Sequence, residues 1–170
     1  ICVCSIFVNP IQFNNLEDLK KYPVQKDQDL DLLREKGCDV VFCPENKEMY
    51  PEAVEESYDF GPLEKMMEGA FRPGHFNGVA VVVKRLFDIV TPDKAYFGEK
   101  DFQQLQIIRS LVKQKKLPVT IVACPIVRDV DGLALSSRNA LLTEEHRRIA
   151  PQIAALLHEC SLLAGDLSVA

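Results

Sequence analysis

Three loops and one helix start hold the residues with the most evident chemical use. In Phe97-Gly98-Glu99-Lys100-Asp101-Phe102-Gln103-Gln104 a glycine lets the backbone come close to a ligand, Lys100 can neutralise phosphate, and Asp101 can take ribose hydroxyls or cap a helix. A helix beginning there would aim its free N–H groups at whatever lies above it. The same residues also read as a plain charged turn, and taken alone they leave both readings open. In Asp131-Gly132-Leu133-Ala134-Leu135-Ser136-Ser137-Arg138-Asn139, Asp-Gly marks a tight turn, and two hydroxyls before an arginine make a compact oxyanion-binding set. In Phe7-Val8-Asn9-Pro10-Ile11-Gln12-Phe13, Pro10 restricts the turn and Gln12 offers an uncharged donor and acceptor, with a solvated loop glutamine as the alternative. His75, in Arg72-Pro73-Gly74-His75-Phe76, is read as structural at a helix start, with general base as the alternative; His146 and His158 are read as surface residues. The sequence contains no Gly-x-Gly-x-x-Gly, Walker A, His-Glu-x-x-His or Gly-x-Ser-x-Gly motif.

These loops need elements to position them. The apolar run Ile1–Val8 predicts a strand buried on both faces, Asp39–Cys43 a second strand, Lys94–Phe97 a third and Val119–Ala123 a fourth. Between them, Asp27–Lys36 predicts a helix stopped by Gly37, and Phe76–Val90 a strongly amphipathic one ended before Pro92. Asp101–Lys116 predicts another, with Phe102, Leu105, Ile108, Leu111 and Val112 facing inward. Residues 44–75 read as mostly loop with a short helix near Leu63–Gly69. Thr143 should cap a last helix that Pro151 kinks or restarts. Strands alternating with helices indicate an α/β fold, a Rossmann-like parallel sheet with helices on both faces. Ligands in such sheets bind beyond the carboxyl ends of the strands, where the loops above fall.

Composition narrows the function. In 170 residues, 26% are charged and 47% hydrophobic, ordinary for a globular chain. Twenty Lys and Arg against 25 Asp and Glu give a net charge of −5, so nucleic acid and anionic membrane are poor candidates as partners. The six cysteines, at 2, 4, 38, 43, 124 and 160, lie mostly in apolar runs without Cys-x-x-Cys. They read as small buried hydrophobes in a reducing, cytoplasmic compartment. No basic leader precedes the first apolar run, and no secretion signal is read there.

Taken in order, FVNPIQF, RPGHFNGV, FGEKDFQQ and DGLALSSRN resemble the signature segments of the pantothenate synthetase family, over roughly residues 1 to 160. The resemblance implies a nucleotidyltransferase fold of the HIGH superfamily and an ATP-dependent ligase of coenzyme A precursor synthesis. Such enzymes activate pantoate on the α-phosphate of ATP with release of pyrophosphate; β-alanine then attacks the pantoyl adenylate to give pantothenate and AMP. By motif, Gln12 and Gln104 resemble the pantoate-binding pair. Gly98, Glu99, Lys100 and Asp101 resemble an ATP site with Asp101 near the ribose, and Val127 resembles the residue meeting adenine through its backbone. Leu135, Ser136, Ser137 and Arg138 are similar to a mobile phosphate-binding loop, with Lys100, Ser136, Ser137 and Arg138 supporting catalysis. Mg²⁺ and a homodimer are implied too, with no protein side chain assigned to the metal.

The family's His-x-Gly-His-type motif has no match here, so no principal catalytic residue is assigned. The sequence is accordingly expected to be an incomplete domain. Residues 1–142 would form a nucleotide- and pantoate-binding α/β domain without its first strand, and 143–170 a helix leading toward a C-terminal lid domain. Alone, this chain is expected to be nearly inactive. The alternatives are a non-catalytic nucleotide-binding remnant and another nucleotidyltransferase of the same superfold.

Overall fold

The computed structural model describes residues 1–164. Their order is β1 (Val3–Ser5), α1 (Leu16–Lys21), α2 (Lys26–Glu35), β2 (Val40–Phe42), α3 (Asn46–Met49), α4 (Glu68–Phe71), α5 (His75–Val90), β3 (Lys94–Gly98), α6 (Phe102–Lys115), β4 (Thr120–Cys124), α7 (Glu144–Ile149) and α8 (Pro151–Ala164). Single 3₁₀ turns occupy Pro10–Gln12, Gly61–Glu64, Glu99–Asp101 and Ser137–Leu141. The chain divides into two compact units, Ile1–Cys124 and Pro125–Ala170.

In the first unit both strand pairs are parallel. β1 runs beside β2 with Val3 opposite Val40, and β3 beside β4 with Lys94 opposite Thr120 and Gly98 opposite Cys124. Parallel neighbours need a crossover, and helices supply it: α1 and α2 between β1 and β2, α6 between β3 and β4. The core lies under α5, whose Phe76, Val79, Ala80 and Val83 are buried with Ile107, Ile108 and Leu111 of α6. Met49, Tyr58 and Phe60 close it from the long connection between β2 and α5. That connection is pinned rather than loose: Asn77 accepts from the Tyr58 N–H at 2.8 Å, and Lys115 lies 5.0 Å over the Tyr58 ring.

Three expectations change. β1 is short and partly exposed, with Val3 38% accessible, rather than a strand buried on both faces. The cause is its position: β1 pairs on one side with β2, while its other edge and that of β3 border an apolar slot of about 560 Å³ lined by Cys4, Val83, Leu86, Phe87, Ala95 and Phe97. Phe102 is 57% exposed, because the 3₁₀ turn at Glu99–Asp101 starts α6 one residue later and turns this ring out, leaving Leu105, Ile107, Ile108 and Leu111 to the core. None of the six cysteines is fully buried; Cys2 and Cys160 are exposed and the others intermediate. The polar stretch after Asn14 holds a short helix, α1, that no apolar period announces; Asn15 caps it by accepting the Glu17 N–H at 2.8 Å.

The second unit opens with a β-hairpin rather than a strand pair of the sheets. Its bridge joins Arg128 and Ala134, and it turns at Gly132, whose φ is +88°. Ser136 caps the following 3₁₀ turn, Thr143 caps α7, and α8 restarts at Pro151 as expected. No helix among the described residues is long and apolar enough to cross a membrane.

Candidate active site

β1 delivers the chain to Asn9, which is 2% exposed. Asn9 caps the Pro10–Gln12 turn by accepting the Ile11 N–H at 3.3 Å, and also accepts from the Tyr50 hydroxyl at 2.8 Å. Its Nδ2 donates to the Gly78 carbonyl at 3.0 Å and to Gln12 Oε1 at 3.3 Å. All four hydrogen-bonding positions of the amide are thus engaged. Burial pushes the Tyr50 phenol up to about 12, so it remains a donor at neutral pH.

Gln12 is fixed from three directions. A Cβ on Gly78 would fall 2.7 Å from Gln12 Cα and 2.8 Å from Gln12 N and Ile11 O, so the turn lies directly on the bare backbone of α5. The Gln12 carbonyl accepts from His75 Nδ1 at 2.8 Å. Asn9 Nδ2 donates to Oε1 of the side chain, which orients the amide and leaves Nε2 a donor without a partner among the described residues. A half-buried group presented this way suits a carboxylate or hydroxyl oxygen.

β3 ends at Gly98, level with the end of β4. A Cβ on Gly98 would meet nothing within 4 Å, so the chain's own packing does not demand the glycine. Lys100 Nζ lies 3.6 Å from Asp101 Oδ1, and both side chains are exposed. Asp101 stands at the N-cap of α6 without a side-chain capping bond, so the cap reading is not realised and its carboxylate is open to solvent. The adjacent glutamines separate into different tasks. Gln103 is 6% exposed; its Nε2 donates to the Leu63 and Met66 carbonyls at 2.8 and 2.7 Å, and its Oε1 accepts the Glu68 N–H at 3.0 Å. Gln104 is half-buried, and its side-chain amide has no hydrogen-bond partner among the described residues. Gln103 is structural, whereas Gln104 is available to a ligand.

The remaining candidates lie in the second unit. Val127 is 67% and Leu135 51% exposed on the arms of the hairpin, joined by the Leu135 N–H donating to the Val127 carbonyl at 3.0 Å. Ser136 Oγ accepts the Arg138 N–H at 3.3 Å. Ser137 and Arg138 are exposed at the start of the 3₁₀ turn. Among the described residues no group of three or more His, Cys, Asp or Glu side chains could hold a metal ion.

The family description "Pantoate-beta-alanine ligase" matches residues 1–168. The chain belongs to the pantoate-beta-alanine ligase family. Pantothenate synthetase of Porphyromonas gingivalis is 57% identical over 163 residues, covering 96% of this chain and 58% of the relative. That of Aquifex aeolicus is 51% identical over 168 residues, covering 98% and 60%. Among solved structures, pantothenate synthetase from Thermus thermophilus aligns with a TM-score of 0.91 at 50% identity, over 96% of this chain and 59% of that one. A Francisella tularensis pantoate-beta-alanine ligase complexed with beta-gamma ATP and beta-alanine aligns at 0.86 and 41% identity, over 92% and 60%. The chain therefore spans about 58–60% of the length of these relatives. The nucleotidyltransferase-like α/β fold read from the sequence is the fold of these ligase-family structures.

Asn9, Tyr50 and Gly78, which build this candidate site, have no place in the expectations drawn from the sequence. Asn9-Pro10 looks like a strand stop, although Asn followed by Pro also spells an N-cap with Pro at the first helical position. His75 is buried and works structurally, holding the Gln12 carbonyl. A carbonyl only accepts, so Nδ1 carries the proton. Burial lowers the imidazole below its ordinary 6.5, outweighing the bond to Gln12 and Glu68 Oε1, which lies 4.0 Å from Nε2. The unfolded chain therefore binds the proton first as pH falls, and stability is lost on acidification below about 6.5. Thermal unfolding followed between pH 7.5 and 5, values bracketing the ordinary imidazole range of about 6.5, should show this slope, and His75→Asn should flatten it.

Proposed function

We propose that the protein to which these residues belong condenses pantoate with β-alanine at the expense of ATP, giving pantothenate, AMP and pyrophosphate. The observation that carries the reading is the fixed Gln12 amide, a neutral donor on a ligand edge of a chain 57% identical to a pantothenate synthetase. Gln12 and Gln104 bind pantoate. Gly98, Glu99, Lys100, Asp101, Val127, Leu135, Ser136, Ser137 and Arg138 bind ATP.

Two neutral amides can orient a carboxylate without the strong ion pairing that would blunt its nucleophilicity. A carboxylate oxygen of pantoate attacks the α-phosphorus, the bond to the bridging oxygen breaks, and pyrophosphate leaves with the electron pair. Lys100 and Arg138 offset the charge growing on that leaving group. The β-alanine amine then attacks the acyl carbon and AMP departs; holding both partners supplies much of the rate through proximity. Mg²⁺ belongs to this reading as a companion of the ATP phosphates; no side chain among the described residues is assigned to hold it, and no step is assigned to it.

The domain reading belongs to the same proposal: residues 1–142 bind nucleotide and pantoate, and 143–170 lead toward a lid domain. The slot between β1 and β3 supports it, since a further parallel strand there would join the two sheets. We also place the protein in the cytoplasm, supported by its six free thiols, and read it as a homodimer from the family resemblance.

Calorimetry tests the assignment directly. The wild-type chain should bind pantoate, and Gln104→Ala should weaken that binding about tenfold or more, the worth of a hydrogen bond to a charged group. Lys100→Ala should weaken ATP binding and leave pantoate binding unchanged. A wild-type chain that ignores pantoate would overturn the reading.

A further inference from the structure

None of the described residues from Pro125 onward is buried. With no buried apolar side chain among them, these residues take their local shape from turns and polar contacts, and several of these contacts meet at the hairpin tip. The Asp129 N–H donates to the Leu133 carbonyl at 2.8 Å, and the Gly132 N–H to the Asp129 carbonyl at 2.9 Å. Asp131 Oδ1 accepts the Leu133 N–H at 3.1 Å, and Arg128 Nη1 donates to the Gly132 carbonyl at 3.0 Å.

One side chain ties this tip to a helix. Arg147, on α7, donates through Nη2 to Asp129 Oδ2 at 2.9 Å and through Nη1 to Asp131 Oδ2. The two carboxylates stand at alternate positions of the tip, and a planar fork meets both where an ammonium would serve one. The guanidinium holds the Asp131 carboxyl below the usual carboxylate range, as a working ion pair requires. Arg147 is itself fixed, because its N–H donates to the Thr143 carbonyl at 2.8 Å within the capped first turn of α7.

The hairpin tip controls more than itself. Its arms carry Val127 and Leu135, and its second arm runs straight into Ser136, Ser137 and Arg138. Asn139 Nδ2 ties that junction back by donating to the Ala134 carbonyl at 3.1 Å. We propose that Arg147 is a positioning residue for nucleotide binding, which holds the Asp129–Asp131 tip and through it the backbone that presents Val127, Leu135 and Ser136–Arg138. This role rests on the ATP assignment made above.

The test pairs ATP titration calorimetry with amide hydrogen exchange on the same 170-residue chain. Arg147→Gln should raise the ATP dissociation constant about tenfold, a typical size for coupling through a positioned element. It should also erase protection of the Leu133 and Leu135 amides while α5 amides stay protected. Arg147→Lys should restore little, and Asp129→Asn with Asp131→Asn should add nothing to Arg147→Gln. Lost protection with unchanged ATP affinity, or an Arg147→Lys variant equal to wild type, overturns the inference. A wild-type chain with no affinity for ATP overturns the nucleotide assignment and the inference with it, and is recognisable because no variant is needed to see it.

Discussion

Gly78→Ala should destabilise the protein by about 2 kcal/mol, although the same change in an ordinary helix stabilises by up to about 1 kcal/mol. The two effects compete, and contact geometry decides between them. The new methyl would lie 2.7–2.8 Å from backbone atoms of Gln12 and Ile11 rather than from the end of a flexible side chain, so the turn must lift from α5. Lifting it strains the bond from Asn9 to the Gly78 carbonyl and that from His75 to the Gln12 carbonyl. Gln12 then loses its fixed direction, and pantoate affinity should fall at least as far as in Gln104→Ala. Thermal melts followed by circular dichroism, with calorimetry on pantoate, check both parts. A more stable Gly78→Ala protein with unchanged affinity would show that helix propensity outweighs the contact and that the turn does not rest on α5 as described.

This contact also marks where sequence reading stops. α5 is legible because Phe76, Val79, Ala80 and Val83 recur at helical spacing, and its burial follows from the same pattern. The parallel pairing is legible because strands alternate with helices. Gln12 and Gln104 stand out by residue type in the segments that follow β1 and β3, where the structure places one in the Pro10–Gln12 turn and the other in the first turn of α6. Gly78 shows none of this. A glycine inside an apolar helix looks like a mild weakness, and only the approach of the segment from Pro10 to Gln12, 66 residues from Gly78 at its near end by numbering, reveals its use. Gln103 and Gln104 are indistinguishable as letters, and their separation depends on carbonyls from Leu63 and Met66 arriving at one of them. The shortness and exposure of β1 follow from which edges are paired, a property of the sheet rather than of Ile1–Val8. Arg147 is hidden for the same reason, since its two aspartates lie 16 and 18 residues away.

Asn9→Asp tests the chemistry of the same cradle with almost no change of shape, and its effect should be the larger on binding. Asn9 Nδ2 donates to two oxygens, the Gly78 carbonyl and Gln12 Oε1. A carboxylate there places acceptor against acceptor at a position only 2% exposed. The destabilisation should reach about 3 kcal/mol, the sum of a buried charge without a cation and a carbonyl left unpaired. Gln12 can relieve half of the conflict by rotating its amide so that Nε2 donates to residue 9. That rotation turns Oε1 outward, and an acceptor then faces the carboxylate of pantoate. Binding should therefore be lost more completely than in Asn9→Ala, which leaves Gln12 free to turn either way. The pH dependence separates the two causes. Burial raises the new carboxyl, so its folded pKa lies above the unfolded one, and the variant regains stability relative to wild type as pH falls toward the ordinary aspartate range near 3.9. Wild type runs the other way below about 6.5, because there the proton goes to His75 in the unfolded chain. An Asn9→Asp protein that binds pantoate like wild type would mean that the Gln12 amide is not oriented by residue 9.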